Sequence, residues 1–107
     1  MTVKIAVNGA AGRMGTRLVC LFAEDEECEL VCATEAPDEP ALGRDAGVLA
    51  GCGELGVEIT ASLRGNPDVL VDFTVPAATL QRAEECVENE VAMVVGTTGF
   101  SQEQLSV

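Results

Sequence analysis

Histidine is absent from these 107 residues, and Lys4 is the only lysine. The chain therefore lacks the side chain most often used to move protons near neutral pH and nearly lacks a common substitute. No catalytic acid or base stands out. Basic residues are scarce, six against 18 Asp and Glu, which leaves a net charge of −12. That balance disfavours nucleic acid and anionic membranes as general partners. No stretch approaches the ~18 uninterrupted apolar residues of a membrane span. Met1-Thr2-Val3-Lys4 lacks the charged start and long apolar run of a signal peptide. A soluble, cytoplasmic protein is expected. Five cysteines occur (Cys20, Cys28, Cys32, Cys52 and Cys86), but none form a C-x-x-C pair and their number is odd. Free thiols, mostly buried, are expected, with no metal site. Internal repeats and low-complexity tracts are absent.

What is present suits one domain with a modest core. At this length a folded chain buries roughly 65% of the surface that its unfolded form exposes, and 48% of the residues are apolar. The acidic surface fits a high-salt cytoplasm as well as an ordinary acidic protein. Of the few cations, Arg13 and Arg17 lie one helical turn apart, beside the most informative segment of the chain.

That segment is Asn8-Gly9-Ala10-Ala11-Gly12-Arg13-Met14-Gly15. It follows the apolar run 3–7 and opens a helical pattern over 12–24, with Met14, Leu18, Leu21 and Phe22 on one face. Strand, glycine turn and helix start form a phosphate site, because glycines let the backbone approach and helix-terminal N–H groups face the anion. Gly12 and Gly15 keep the last two positions of G-x-G-x-x-G, while the first glycine stands one residue upstream, at Gly9. Residues 29–35 predict a second strand, ending at Glu35, 20 residues after Gly15. An acid there accepts hydrogen bonds from an adenosine ribose; it could equally be a surface Glu at a strand end.

Residues 36–56 predict a long irregular loop with Pro37, Pro40 and five glycines. A short strand over 57–60, a fragment of helix at 62–65 and a turn at Asn66-Pro67 follow. Residues 69–73 predict a strand. The pattern over 76–90 predicts a helix with Leu80, Ala83 and Val87 on one face and Gln81, Arg82, Glu84, Glu85 and Glu88 elsewhere. Residues 91–95 predict another strand, and the capping-box spacing of Ser101 and Gln104 predicts a helix start. Alternating strands and helices, with continuous apolar strands, indicate an α/β fold with a parallel sheet covered on both faces. Phe73-Thr74 and Gly96-Thr97-Thr98-Gly99 end two strands on the ligand side of such a sheet; each could also be mere connection. Asp72 is expected to bond neighbouring backbone groups rather than to act as a catalytic acid.

Taken in order, Gly12-Arg13-Met14-Gly15, Leu42-Gly43-Arg44-Asp45-Ala46-Gly47, Val71-Asp72-Phe73-Thr74 and Gly96-Thr97-Thr98-Gly99-Phe100 resemble the 4-hydroxy-tetrahydrodipicolinate reductase (dihydrodipicolinate reductase) family. The resemblance covers nearly the whole chain. It implies a Rossmann-like doubly wound parallel sheet, incomplete here, and an oxidoreductase of lysine and diaminopimelate biosynthesis using NADH or NADPH. It implies that Gly9, Ala10, Ala11, Gly12, Arg13 and Met14 hold the cofactor pyrophosphate and Glu35 the adenosine ribose. Gly96, Thr97 and Thr98 would sit by the nicotinamide, and Phe73 and Thr74 would line the same crevice. Many relatives place Arg after the ribose acid to grip the 2′-phosphate of NADPH. Ala36 stands there, so NADH is expected to serve at least as well, with Arg13 as the remaining cation. The family's His-His pair, Lys and substrate-binding segment have no counterpart here. The chain is expected to be the N-terminal cofactor-binding portion of a two-domain homo-oligomeric enzyme, with an open sheet edge and no catalytic residues of its own. A stand-alone nucleotide-binding or sensor module, and the first domain of another amino-acid-pathway dehydrogenase, remain alternatives.

Overall fold

The computed structural model describes residues 2–74 and 76–96. Five strands form one parallel sheet: β1 (Val3–Asn8), β2 (Cys28–Thr34), β3 (Ile59–Thr60), β4 (Val69–Asp72) and β5 (Ala92–Val95). Their order across the sheet is β3-β2-β1-β4-β5. Helices α1 (Arg13–Glu24), α2 (Ala46–Ala50) and α3 (Pro76–Glu88) make three of the four crossovers, and an extended segment joins β3 to β4. The order reverses between β1 and β4, and a crevice opens above the strand ends at that point. The doubly wound parallel sheet read from the sequence is the fold found. No helix among the described residues is long and apolar enough to cross a membrane.

Side chains alternate across the strands and build a core on each face. Ile5 and Val7 point with Leu30, Ala33, Ile59 and Val71 toward α1 and α2. Ala6 points the other way, with Cys32 and Leu70, toward Cys86 of α3. Strict alternation along β2 would put Leu30 and Cys32 on the same face. A bulge prevents it: Ile5 pairs with Leu30 but Ala6 with Cys32, so Val31 is the extra residue. The bulge aims Cys32 and Thr34 at the α3 side. The chain leaving β3 crosses over it at Gly65, where an added Cβ would stand 2.8 Å from the Val31 carbonyl oxygen. This extended crossing, with Arg64 N–H donating to the Cys32 sulfur at 3.3 Å, replaces the helical fragment expected over 62–65. Burial pushes the Cys32 and Cys86 thiols up from their ordinary pKa. All five cysteines are free, with Cys20, Cys28 and Cys52 half-buried rather than buried.

Two further expectations change. The buried line of α1 runs through Gly15 and Val19, whereas Met14 and Leu21 are exposed. Leu18 and Phe22 pack at its margin. The loop over 36–56 also contains α2, which the glycines hid. A single carboxylate organises it. Asp45 accepts the N–H groups of Val48 and Leu55 on one oxygen, and of Gly56 and Val57 on the other, all within 3.0 Å. Gly51 ends α2 in the left-handed region at φ 85°. The expected helix start at Ser101 lies outside the described residues.

The four donors hold the Asp45 carboxyl below the usual carboxylate range. A lowered pKa means that its stabilisation is complete above about pH 4 and fades as pH falls through the folded-state value. Asp45→Ala should lower stability by about 1–2 kcal/mol. Amide exchange over 46–57 should accelerate selectively in that variant, and acid should erase the difference from the unaltered protein. Uniform exchange at neutral pH would contradict the assignment.

Candidate functional site

The first crossover is built so that the glycine turn presses against both of its neighbours. Gly9 leaves β1 at φ 78°, which side chains other than glycine rarely adopt. A Cβ there would also meet Thr74 Cγ2 at 2.5 Å. Gly9 and Ala10 both donate their N–H groups to the Thr34 carbonyl oxygen, at 2.9 and 3.2 Å. Ala11 N–H donates to Glu35 Oε2 at 2.8 Å. Three consecutive amides are thus tied to the end of β2. Gly15 lets α1 start directly against the turn, since a Cβ at Gly15 would stand 2.0 Å from the Gly9 carbonyl oxygen.

Helix α1 begins after Gly12, and no side chain caps it. Its first N–H groups have no partner within the helix and carry the positive end of the helix dipole. They border a cleft of ≈ 400 Å³ at the strand-order reversal, lined by Gly9, Gly12, Arg13, Met14, Glu35 and Ala36 on one side. The volume is that of an ordinary small-ligand site. Phe73 and Thr74 line the opposite wall. Ala10 lies buried beneath the turn, and Arg17 borders a separate groove beside Ala50. Gly96 N–H donates to the Asp72 carbonyl oxygen at 2.7 Å. The Gly96 backbone lies against the Phe73 ring so closely that a Cβ would fall 1.9 Å from it. Thr97 and Thr98 lie outside the described residues.

A buried polar network floors the cleft. Asp72 is fully buried. Its carboxylate accepts from Asn8 Nδ2 at 2.7 Å, from the Thr74 hydroxyl at 2.8 Å and from the Thr79 hydroxyl. Asn8 Oδ1 accepts in turn from the Thr34 hydroxyl at 2.8 Å and from Arg82 Nε at 3.2 Å. Arg82, only 8% exposed, also donates to the Ala61 carbonyl oxygen at 3.0 Å, to Glu85 and to the Glu35 carbonyl oxygen at 3.4 Å. One guanidinium therefore joins the ends of β1 and β2 to the segment after β3. The network satisfies polar groups that would otherwise be costly to bury.

Sequence reasoning placed Arg82 and Glu85 away from the packed face of α3. The structure reverses this: Thr79, Arg82 and Cys86 are buried, while Val87 is 80% exposed. The apolar stripe of Leu80, Ala83 and Val87 lines a shallow outer groove. A single helix lays one stripe on the sheet, and Asn8 and Asp72 at the strand ends need polar partners. The i, i+3, i+7 spacing of Thr79, Arg82 and Cys86 carried the signal, but a cation within it read as solvated.

Over residues 3–107 the chain matches the family model described as "Dihydrodipicolinate reductase, N-terminus". The chain belongs to the dihydrodipicolinate reductase family. It is 47% identical over 105 residues to the 4-hydroxy-tetrahydrodipicolinate reductase of Geotalea daltonii, covering 95% of this chain and 39% of that protein. The corresponding reductase of Methanothermobacter thermautotrophicus is 44% identical over 110 residues, covering 96% of this chain and 40% of the relative. The chain thus spans about two fifths of the length of the curated reductases it matches. A dipicolinate-bound dihydrodipicolinate reductase from Paenisporosarcina sp. TG-14 superposes with a TM-score of 0.71 at 29% identity, over 99% of this chain and 41% of that one. Aspartate semialdehyde dehydrogenase from Candida albicans shares the fold, with a TM-score of 0.72 at 18% identity over 92% of this chain and 30% of that one.

The glycines make a test that separates fold from ligand in this reductase-family domain. Gly15→Ala drives a methyl into backbone and should cost about 1–3 kcal/mol of stability. Gly12→Ala meets only the Gly9 carbonyl oxygen, at 3.3 Å, and its methyl enters the cleft. Chemical denaturation should show it nearly unchanged, whereas its nucleotide affinity should fall. Equal stability losses in both variants would contradict this reading.

Proposed function

We propose that the chain is the pyridine-nucleotide-binding part of a 4-hydroxy-tetrahydrodipicolinate reductase in lysine and diaminopimelate biosynthesis. The observation that carries it is one cleft holding the uncapped start of α1 and the carboxylate of Glu35, joined by the Ala11–Glu35 hydrogen bond. A bound nicotinamide supplies a hydride from C4; the other roles belong to the chain. The N–H groups of Arg13 and Met14 receive the diphosphate, because those of Gly9, Ala10 and Ala11 are already committed. Glu35 accepts the adenosine ribose hydroxyls. An ionised carboxylate has about four acceptor sites, so the Ala11 amide leaves capacity for them. Phe73 and Thr74 border the route toward the nicotinamide end, to which Gly96, Thr97 and Thr98 are also assigned.

No histidine and no lysine face this cleft among the described residues, so the proton required by the reduction is assigned to the part of the relatives beyond the matched two fifths. The Paenisporosarcina relative was solved with dipicolinate, which supports a cyclic dicarboxylate as the substrate class. Binding of that substrate, and subunit assembly, are assigned to the same remaining part. The position after the ribose acid supports NADH: Ala36 offers no cation to a 2′-phosphate.

Fluorescence titration should show NADH binding at least as tightly as NADPH. Ala36→Arg should strengthen NADPH selectively, by about tenfold, the worth of one charge-assisted hydrogen bond. The 107 residues alone should give no turnover with substrate and NADH. Failure to bind either nucleotide would refute the reading, and rates matching a full-length reductase would refute the division of labour.

A further inference from the structure

The adenosine end of the cleft contains a second charge device beyond Ala36. Arg82 and Glu85 both line it, next to Ala36 and Ala61. The Arg82 guanidinium is buried, and its Nη1 is paired with Glu85 Oε1. The other carboxylate oxygen of Glu85 accepts Leu63 N–H at 2.9 Å, which fixes the acid in place. Arg82 Nη2 has two N–H groups and makes a single long bond, 3.4 Å, to the carbonyl oxygen of Glu35. A guanidinium that could serve an anion therefore stands beside the ribose acid. Its charge is met by one carboxylate, Glu85, while a second, Glu35, lies in the same wall. Beside Ala36 and Ala61 the acids Glu35 and Glu85 outnumber Arg82, and the cleft's other cation, Arg13, stands at the start of α1.

We propose that Glu85 is a specificity-determining residue, which neutralises Arg82 and so excludes the 2′-phosphate of NADPH in favour of the free 2′-hydroxyl of NADH. The inference rests on the reading of the cleft as a pyridine-nucleotide site. A phosphomonoester brings a charge near −2 toward Glu35 and Glu85. Without the Glu85 charge, the same position faces an uncompensated guanidinium with a spare N–H. Phosphate and guanidinium are well matched in geometry.

The test is a direct binding titration of NADH and of NADPH with Glu85→Gln. Glutamine removes the charge and keeps one of the two acceptor oxygens, which stays on Leu63 N–H, while its amide nitrogen replaces the oxygen that faced Arg82. NADPH affinity should rise about tenfold, the scale of one unit charge at a partly exposed site, and NADH affinity should stay within about twofold. Glu85→Gln combined with Arg82→Gln should abolish the gain. In the unaltered protein, rising salt should narrow the NADH-over-NADPH preference, since screening weakens the repulsion. That measurement requires no substitution, so poor folding of a variant does not remove the test. If NADH binds but the preference ignores both salt and Glu85→Gln, the role of Glu85 is overturned and the cofactor site stands. If neither nucleotide binds the unaltered chain, the cofactor reading itself fails.

Discussion

The site depends on how the end of β2 holds the glycine turn. Two amides of the turn converge on one carbonyl oxygen, that of Thr34, and the next reaches the carboxylate of Glu35. These bonds set the turn's shape before any ligand arrives. Glu35, the residue proposed to touch the ribose, also braces the glycine turn. Preorganisation of this kind lowers the ordering cost that binding would otherwise meet. It also divides the turn into a structural part, Gly9 to Gly12, whose amides are bonded within the fold, and a part that is open to a ligand, from Arg13 onward.

The second support lies beneath. Asn8, Asp72, Thr79 and Arg82 form a floor of hydrogen bonds where most of the domain is apolar. Packing alone would place the ends of β1, β2 and β4 approximately. Directional bonds between their terminal side chains fix them relative to one another, and with them the two walls of the cleft. The β2 bulge contributes to the same end. By adding Val31 it turns Thr34 toward Asn8, and the Thr34 hydroxyl reaches the Asn8 amide oxygen. An irregularity in one strand is thus part of how the crevice is assembled.

Most of the architecture was legible in the sequence because it follows from periodicity. Short runs of Val, Ile and Ala gave β1, β2, β4 and β5 within a residue or so, and the glycines after Asn8 marked the turn. What escaped was contributed by single polar contacts. Helix α2 is five residues long and is held by Asp45, whose partners lie up to 12 residues away, so no local pattern announces it. The buried stripe of α3 contains an arginine, and burial of an arginine depends on Asn8, 74 residues distant in sequence. The inward turn of Thr34 came from a bulge that alternation cannot foresee. Gly9, Gly12 and Glu35 were recognisable because their chemistry is local to a strand end; the floor beneath them was not.

The most direct measurement is amide chemical-shift mapping of the chain during titration with NADH. The largest perturbations are expected at the amides of Arg13, Met14 and Gly15 and around Glu35, with those of Gly9 to Gly12 moving little because they are already bonded within the fold. Perturbations concentrated on the outer face of α3, or the absence of any at the start of α1, would contradict the assignment of the cleft.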